Sequence, residues 1–239
     1  MSEDNLCVVL VGTTHPGNIG AAARAMKTMG IGDLRLAAAE CEADAQSHAM
    51  AGHAGDVVEG LRRFATLEEA VADCSRVYGL TARTRREGVP PVDPRGAAAE
   101  ARRYGAGHGV AFVFGREHSG LTNRELGLCH RLVHIPANPA YSSLNLAAAV
   151  QVVCYELRMA AEADVSPDRT TAEPAPVAHL TGLYEQLERL ALAVGFADEA
   201  GLGSMGRKLR RLLQRADPER AEVNLLRGLL SAVERALGR

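Results

Sequence analysis

No apolar run in this sequence approaches the roughly 20 residues that a membrane-crossing helix needs, so no bilayer-spanning segment is expected. The first residues, Met1-Ser2-Glu3-Asp4, carry acid where a secretory signal carries basic charge, which predicts a cytoplasmic protein. Cysteine is sparse and its pattern is unpaired. Cys7, Cys41, Cys74, Cys129 and Cys154 are odd in number, widely scattered and without a C-x-x-C pair, which argues against a disulfide framework and a zinc ribbon. Buried thiols and no metal are the expectation. No internal repeat, low-complexity tract or G-x-x-x-x-G-K-[ST] phosphate loop occurs, so a P-loop NTPase is unsupported. Lysine is nearly absent too: of 27 basic residues only Lys27 and Lys208 are Lys. Arginine presents a planar fork to phosphate and stacks on bases, so nucleic acid is a possible partner despite a formal charge of −2. Residues 1–164 carry 16 basic and 19 acidic side chains and the remainder 11 and 10, so any RNA surface must be a local patch.

What is present is a globular mix of 47% apolar and 23% charged residues over 239 positions, enough for one large core or a core with a small annex. Short β-branched runs at 6–11, 34–36, 56–58, 76–80, 110–114 and 132–135 alternate with helical stretches, the pattern of a parallel sheet with helices on both faces. Thr66 with Glu69 and Thr122 with Glu125 have capping-box spacing, and Asp93-Pro94 fits an N-cap followed by a first-turn proline. A long helix is predicted over 145–162. A proline-containing stretch then separates an α/β domain, 1–163, from a small all-helical extension, 179–239, through a linker at 164–178. Helices are expected there over 180–196, 204–216 and 219–237.

Some motifs mislead. Gly201-Leu-Gly-Ser-Met-Gly206 fits G-x-G-x-x-G by letter, but it joins two helices of the extension and lacks the preceding strand of a dinucleotide site. His130 and His134 are four apart, yet their segment reads partly as strand and offers no third ligand, so a structural role is favoured.

Three segments place glycine and polar residues where parallel sheets bind ligands, at junctions following strands. They are His15-Pro-Gly-Asn18-Ile-Gly20-Ala-Ala-Ala-Arg24, with Gly20 expected to open a helix; Phe114-Gly115-Arg116-Glu117-His118-Ser119-Gly120-Leu121; and Ile135-Pro136-Ala-Asn138-Pro139-Ala-Tyr141-Ser142-Ser143-Leu144-Asn145-Leu146. In order and spacing, Asn18-x-Gly20-x-x-x-Arg24, Gly115-x-Glu117-x-x-Gly120-Leu121 and Ser142-Ser143-Leu144-Asn145-Leu146-x-x-Ala149 resemble the three signature motifs of the SpoU branch of SPOUT RNA methyltransferases. The opening Val11-Gly-Thr-Thr-His-Pro-Gly-Asn-Ile-Gly20, the stretch Leu80-Thr81-Ala82-Arg83-Thr84-Arg85 and the helical tail with Lys208 resemble more narrowly the TrmJ type, and the likeness covers nearly the whole chain.

The resemblance implies a parallel sheet whose C-terminal part is tied in a trefoil knot, S-adenosylmethionine as methyl donor, and a ribose 2′-hydroxyl of tRNA as acceptor, at cytidine or uridine 32 of the anticodon loop. By motif it assigns catalytic roles to Arg24, Asn18, Glu117, Ser143 and Asn145. Cofactor binding falls to Leu80, Thr81, Ala82, Gly115, Ile135, Ser142, Ser143 and Leu144. It implies a homodimer with each site completed by the partner subunit. RNA contact is expected of Arg83, Arg85 and Arg86 beside the cofactor loop, and of Arg207, Lys208, Arg210, Arg211 and Arg215 in the extension. Ribosomal RNA, another tRNA loop, or a non-catalytic RNA-binding role are the alternatives.

Overall fold

Leu6–Val11 (β1), Asp33–Ala37 (β2), Arg62–Phe64 (β3), Cys74–Leu80 (β4), Gly109–Phe114 (β5) and Arg131–Val133 (β6) form one sheet in the order β3-β2-β1-β5-β4-β6, every neighbouring pair parallel. The structure is a computed structural model that describes residues 5–82, 91–104, 109–162 and 174–238. The chain divides into two compact units, Met1–Arg169 with the sheet and Thr170–Arg239 with three helices.

The central strands β1 and β5 are apolar on both sides because both faces are covered, as in α/β proteins generally. Leu6, Val8 and Leu10 of β1, with Val110, Phe112 and Phe114 of β5, pack against Ile19, Ala22 and Met26 of helix α1 (Pro16–Thr28), against Ala97 and Ala101 of α5 (Pro94–Arg103), and against Val150, Val153 and Leu157 of α7 (Leu146–Glu162). Each such fully buried aliphatic side chain is worth roughly 1.5–3 kcal/mol. Alternate residues such as Val9 and Val113 are buried on the opposite face, where α4 (Leu67–Ala70) packs and the Ala70 carbonyl accepts from the buried Arg35 of β2. Arg35 is tolerated there because Asp33 and Asp73 pair with it, and these carboxylates hold its guanidinium protonated.

The anticipated caps form. Thr66 Oγ1 accepts from Glu69 N–H, Thr122 and Glu125 make a reciprocal capping box before α6 (Asn123–Leu126), and Asp93 accepts from Gly96 N–H ahead of Pro94. Within the sheet unit two expectations fail. Residues 56–58 are not a strand: Val57 and Val58 are buried in a short helix, α3 (Gly55–Glu59), packed under α1. The third strand is instead Arg62–Phe64, an edge strand with both arginines exposed, which no hydrophobic alternation marks. Gly20 does not open a helix either. Helix α1 starts at Pro16, and Gly20 is buried where a Cβ would lie 1.9 Å from the Ser47 carbonyl oxygen of α2 (Ala45–Ala51). That glycine exists to let two helices touch.

The end of the sheet has an unusual closure. Thr81 N–H, just past β4, donates to Val133 of β6, while Val92 exchanges hydrogen bonds with Leu132 and His134 and bridges Val133. The two ends of the segment 81–92 therefore clasp β6 from opposite sides.

In the second unit, α8 (Val177–Ala193) packs with α9 (Glu199–Ala216) and α10 (Arg220–Ala236) around Leu180, Leu183, Tyr184 and Val223. Helix α8 starts at Val177 and Ala175 is already buried in this core, so the end of the expected linker belongs to the helical unit. The 201–206 glycines do not join two helices. They lie inside α9, where a Cβ on Gly206 would sit 2.6 Å from Glu188 Oε1, so Gly206 is a close-packing residue.

Candidate active site

The chain reverses its direction of travel across the sheet between β1 and β5, and their loops meet at the carboxyl ends of these strands, the place where open parallel sheets bind ligands. Asn18, in the first turn of α1, donates from Nδ2 to Glu117 Oε1 at 2.8 Å, joining the first two motifs across 99 residues of sequence. Behind Glu117 the loop is braced. Arg116 makes two 3.1 Å bonds to Glu125, and its side chain fills the space that a Cβ on Gly12 would need, with Gly12 at φ +60. Arg116 and Gly120 exchange backbone hydrogen bonds, and Gly115 faces that turn so closely that a Cβ would fall 2.2 Å from the Gly120 carbonyl carbon. Glu117 is thus held on a rigid loop, half-buried, with its carboxylate turned to Asn18.

Arg24 is the ninth residue of α1 and is exposed. Among the described residues its guanidinium has no hydrogen-bond or ion-pair partner, and it makes no such link to Asn18, Glu117, Ser143 or Asn145. Asn145 has a different employment: its Oδ1 accepts from Ala147 N–H, capping α7, so the cap of that helix is the asparagine and not either serine. Ser142 and Ser143 are exposed in the preceding loop.

Of the expected cofactor residues, Ile135, Ser143 and Leu144 line a cavity of about 640 Å³ together with Asp93, Arg95, Tyr141 and Glu156. Leu80, Thr81 and Ala82 lie at the same end of the sheet, with the Thr81 carbonyl accepting from His134 Nδ1 at 3.1 Å, whereas Leu80, Thr81, Ala82, Gly115 and Ser142 do not line this cavity. The wall from Asp93 to Arg95 escaped sequence reading, which took Asp93-Pro94 as a helix start only. No local pattern marked it, since Arg95 joins this wall through a contact with Glu156 of α7, 61 residues further on.

The histidines are structural. His130 N–H donates to the Val77 carbonyl and its Nδ1 accepts from Val77 N–H at 3.1 Å, tying the start of β6 to β4. Burial, helped by the Arg76 cation, pushes this imidazole down to about 3. All five cysteines are free, and burial raises Cys129 and Cys154 to about 12, which leaves them protonated and unreactive. Among the described residues no cluster of three or more His, Cys, Asp or Glu is placed to hold a metal ion, and no helix is long and apolar enough to cross a membrane.

Arg83, Arg85 and Arg86 lie outside the described residues. In the helical unit Lys208, Arg207, Arg211 and Arg215 are exposed along α9, while Arg210 is committed: it stacks on Tyr184 at 4.6 Å and reaches Glu188 at 3.4 Å.

Residues 5–155 match the family model for the SpoU rRNA methylase family. The chain belongs to that family. Within it, residues 178–239 match a model of the C-terminal domain of the tRNA methyltransferase TrmJ. The tRNA (cytidine/uridine-2′-O-)-methyltransferase TrmJ of Escherichia coli K12 is 47% identical over 234 residues, covering 96% of this chain and 95% of its own. The crystal structure of TrmJ from Z. mobilis ZM4 superposes with a TM-score of 0.85 at 34% identity, covering 95% of this chain and 98% of that one. A more distant SpoU member, AviRb from Streptomyces viridochromogenes in complex with AdoMet, shares the fold at 24% identity and a TM-score of 0.52, covering 66% of this chain and 58% of that one.

Proposed function

We infer that this SpoU-family chain is a tRNA (cytidine/uridine-2′-O-)-methyltransferase that uses S-adenosylmethionine, acts at nucleotide 32 of the anticodon loop, and works as a homodimer. The observation carrying the reading is the convergence of separated motifs at one end of the sheet, with Asn18 bonded to Glu117 and a cavity beside Ile135, Ser143 and Leu144. A cavity of about 640 Å³ suits a cofactor-sized ligand. Ile135, Ser143 and Leu144, with Leu80, Thr81, Ala82, Gly115 and Ser142 nearby in the knot loops, are the residues proposed to hold the donor. The clasp of β6 by Thr81 and Val92 supports the trefoil knot within this reading.

When bound, the sulfonium donor supplies an activated methyl group with a neutral leaving group. The task left to the protein is to present a ribose hydroxyl, which attacks poorly while protonated. A guanidinium is effectively never deprotonated in proteins, which assigns Arg24 an electrostatic role and not that of a base. It stabilises the developing oxyanion and grips the adjacent phosphate. An exposed fork with no partner among the described residues suits a residue that acts on a partner's substrate across a dimer. Helix α7 supports that dimer, exposing Ala148, Tyr155 and Met159 at helical spacing with Val152 partly exposed between them. Asn18, Glu117, Ser143 and Asn145 orient the loops around that ribose, Asn145 through the cap of α7.

The deciding experiment incubates the protein with labelled S-adenosylmethionine and total tRNA and maps the modified nucleotide. Label at the 2′-oxygen of residue 32 is the expected result; label at another tRNA nucleotide alone, or none, would refute it.

A further inference from the structure

Tyr141 is 81% exposed, more than any other large apolar side chain among the described residues, in a chain with only four Phe, five Tyr and no Trp. In the sheet unit Tyr78, stacked on Phe112 at 4.7 Å, and Phe114 are buried, and Tyr155 on α7 is 46% exposed, well short of Tyr141. Tyr141 is kept out of water's way by nothing, yet its backbone is not loose. Tyr141 N–H donates to the Asn138 carbonyl at 2.9 Å, Ala140 N–H donates to Asn138 Oδ1 at 3.0 Å, and Pro136 and Pro139 fix the chain on either side of Asn138. The loop therefore holds the ring at the rim of the cavity lined by Ile135, Ser143 and Leu144. The phenol makes no hydrogen bond among the described residues, so the ring face is the group on offer.

We propose that Tyr141 binds substrate by stacking on an unpaired base of the RNA at the mouth of this cavity, setting the target ribose over the site. This rests on the RNA methyltransferase reading above. Single-stranded loops are recognised by splayed bases on aromatic side chains, and a face this open suits a large mobile ligand entering from solvent rather than an enclosed cofactor.

The test uses the full-length protein. Tyr141→Ala is expected to raise KM for tRNA roughly 5- to 150-fold, the range typical of one lost stacking contact, with kcat at saturating tRNA and donor affinity near wild type. Tyr141→Phe should restore KM. Tyr141→Trp installs the chain's sole tryptophan, whose emission should be quenched by an anticodon stem-loop RNA and not by S-adenosylmethionine. Quenching by the donor alone, an unchanged KM in Tyr141→Ala, or dissociation of that variant to monomers in sedimentation would each overturn the proposal. A wild-type protein that methylates no RNA would instead bring down the underlying reading, whereas an active wild type with an indifferent Tyr141→Ala sinks only the stacking.

Discussion

Arg24 and His130 show how differently two polar residues are used. Among the described residues Arg24 has no partner on its exposed helix face, so its replacement should cost the fold little and, in the role proposed, the chemistry nearly everything. Arg24→Ala should abolish methylation while calorimetry finds donor affinity largely intact; lost donor affinity would contradict the role given to it. Arg24→Lys should also be poor, because an ammonium does not reproduce the planar fork. His130 is the reverse case, a group absorbed by the fold. Its folded value of about 3 lies below the roughly 6.5 of an unfolded chain, so between these limits the unfolded state binds more protons and stability falls as pH falls. Urea titrations from pH 7 to pH 4 should show this decline, and His130→Asn, whose Oδ1 can still accept from Val77 N–H, should flatten it.

Elements are positioned here by close approaches that only small residues and caps permit. Gly20 lets α1 rest on the Ser47 carbonyl of α2, a backbone atom that cannot swing aside. Gly20→Ala should therefore destabilise by at least about 1–3 kcal/mol in urea unfolding, the usual range for overpacking, and the shift of α1 should also lower activity through Asn18 and Arg24. Asn145 governs the opposite end of the site. Asn145→Ala removes the cap of α7, expected to cost about 1 kcal/mol, and loosens the Ser142-Ser143-Leu144 loop that precedes it; weaker donor binding with little change in the denaturation slope would be its mark. Local sequence failed at this scale where packing outweighed propensity. Val57 and Val58 read as strand, but being buried under α1 they are held as one helical turn, and the true edge strand hid behind two exposed arginines.

The whole molecule is two units with one shared substrate in the reading proposed. Lys208, Arg207, Arg211 and Arg215 line α9, and phosphate contacts release counterions, so tRNA affinity should fall steeply with salt, the logarithmic slope growing by about 0.7–0.9 for each contact. A flat salt response would exclude that surface. A chain truncated after Asp164 keeps the entire sheet and its core, so it should fold and bind donor while using tRNA poorly.

The sequence by itself determined the class of fold, the caps at Thr66, Thr122 and Asp93, the two-part organisation and the family, because these rest on short-range periodicity and on the order and spacing of three short motifs. Only the tertiary structure decided that Asn18 meets Glu117, that Gly20 and Gly206 are packing glycines, that Arg210 is occupied by Tyr184 and Glu188, and that β6 is clasped between Thr81 and Val92. Each of these joins residues distant along the chain or from different elements. Their pairing follows from how sheet and helices enclose one core, which no local pattern of letters encodes.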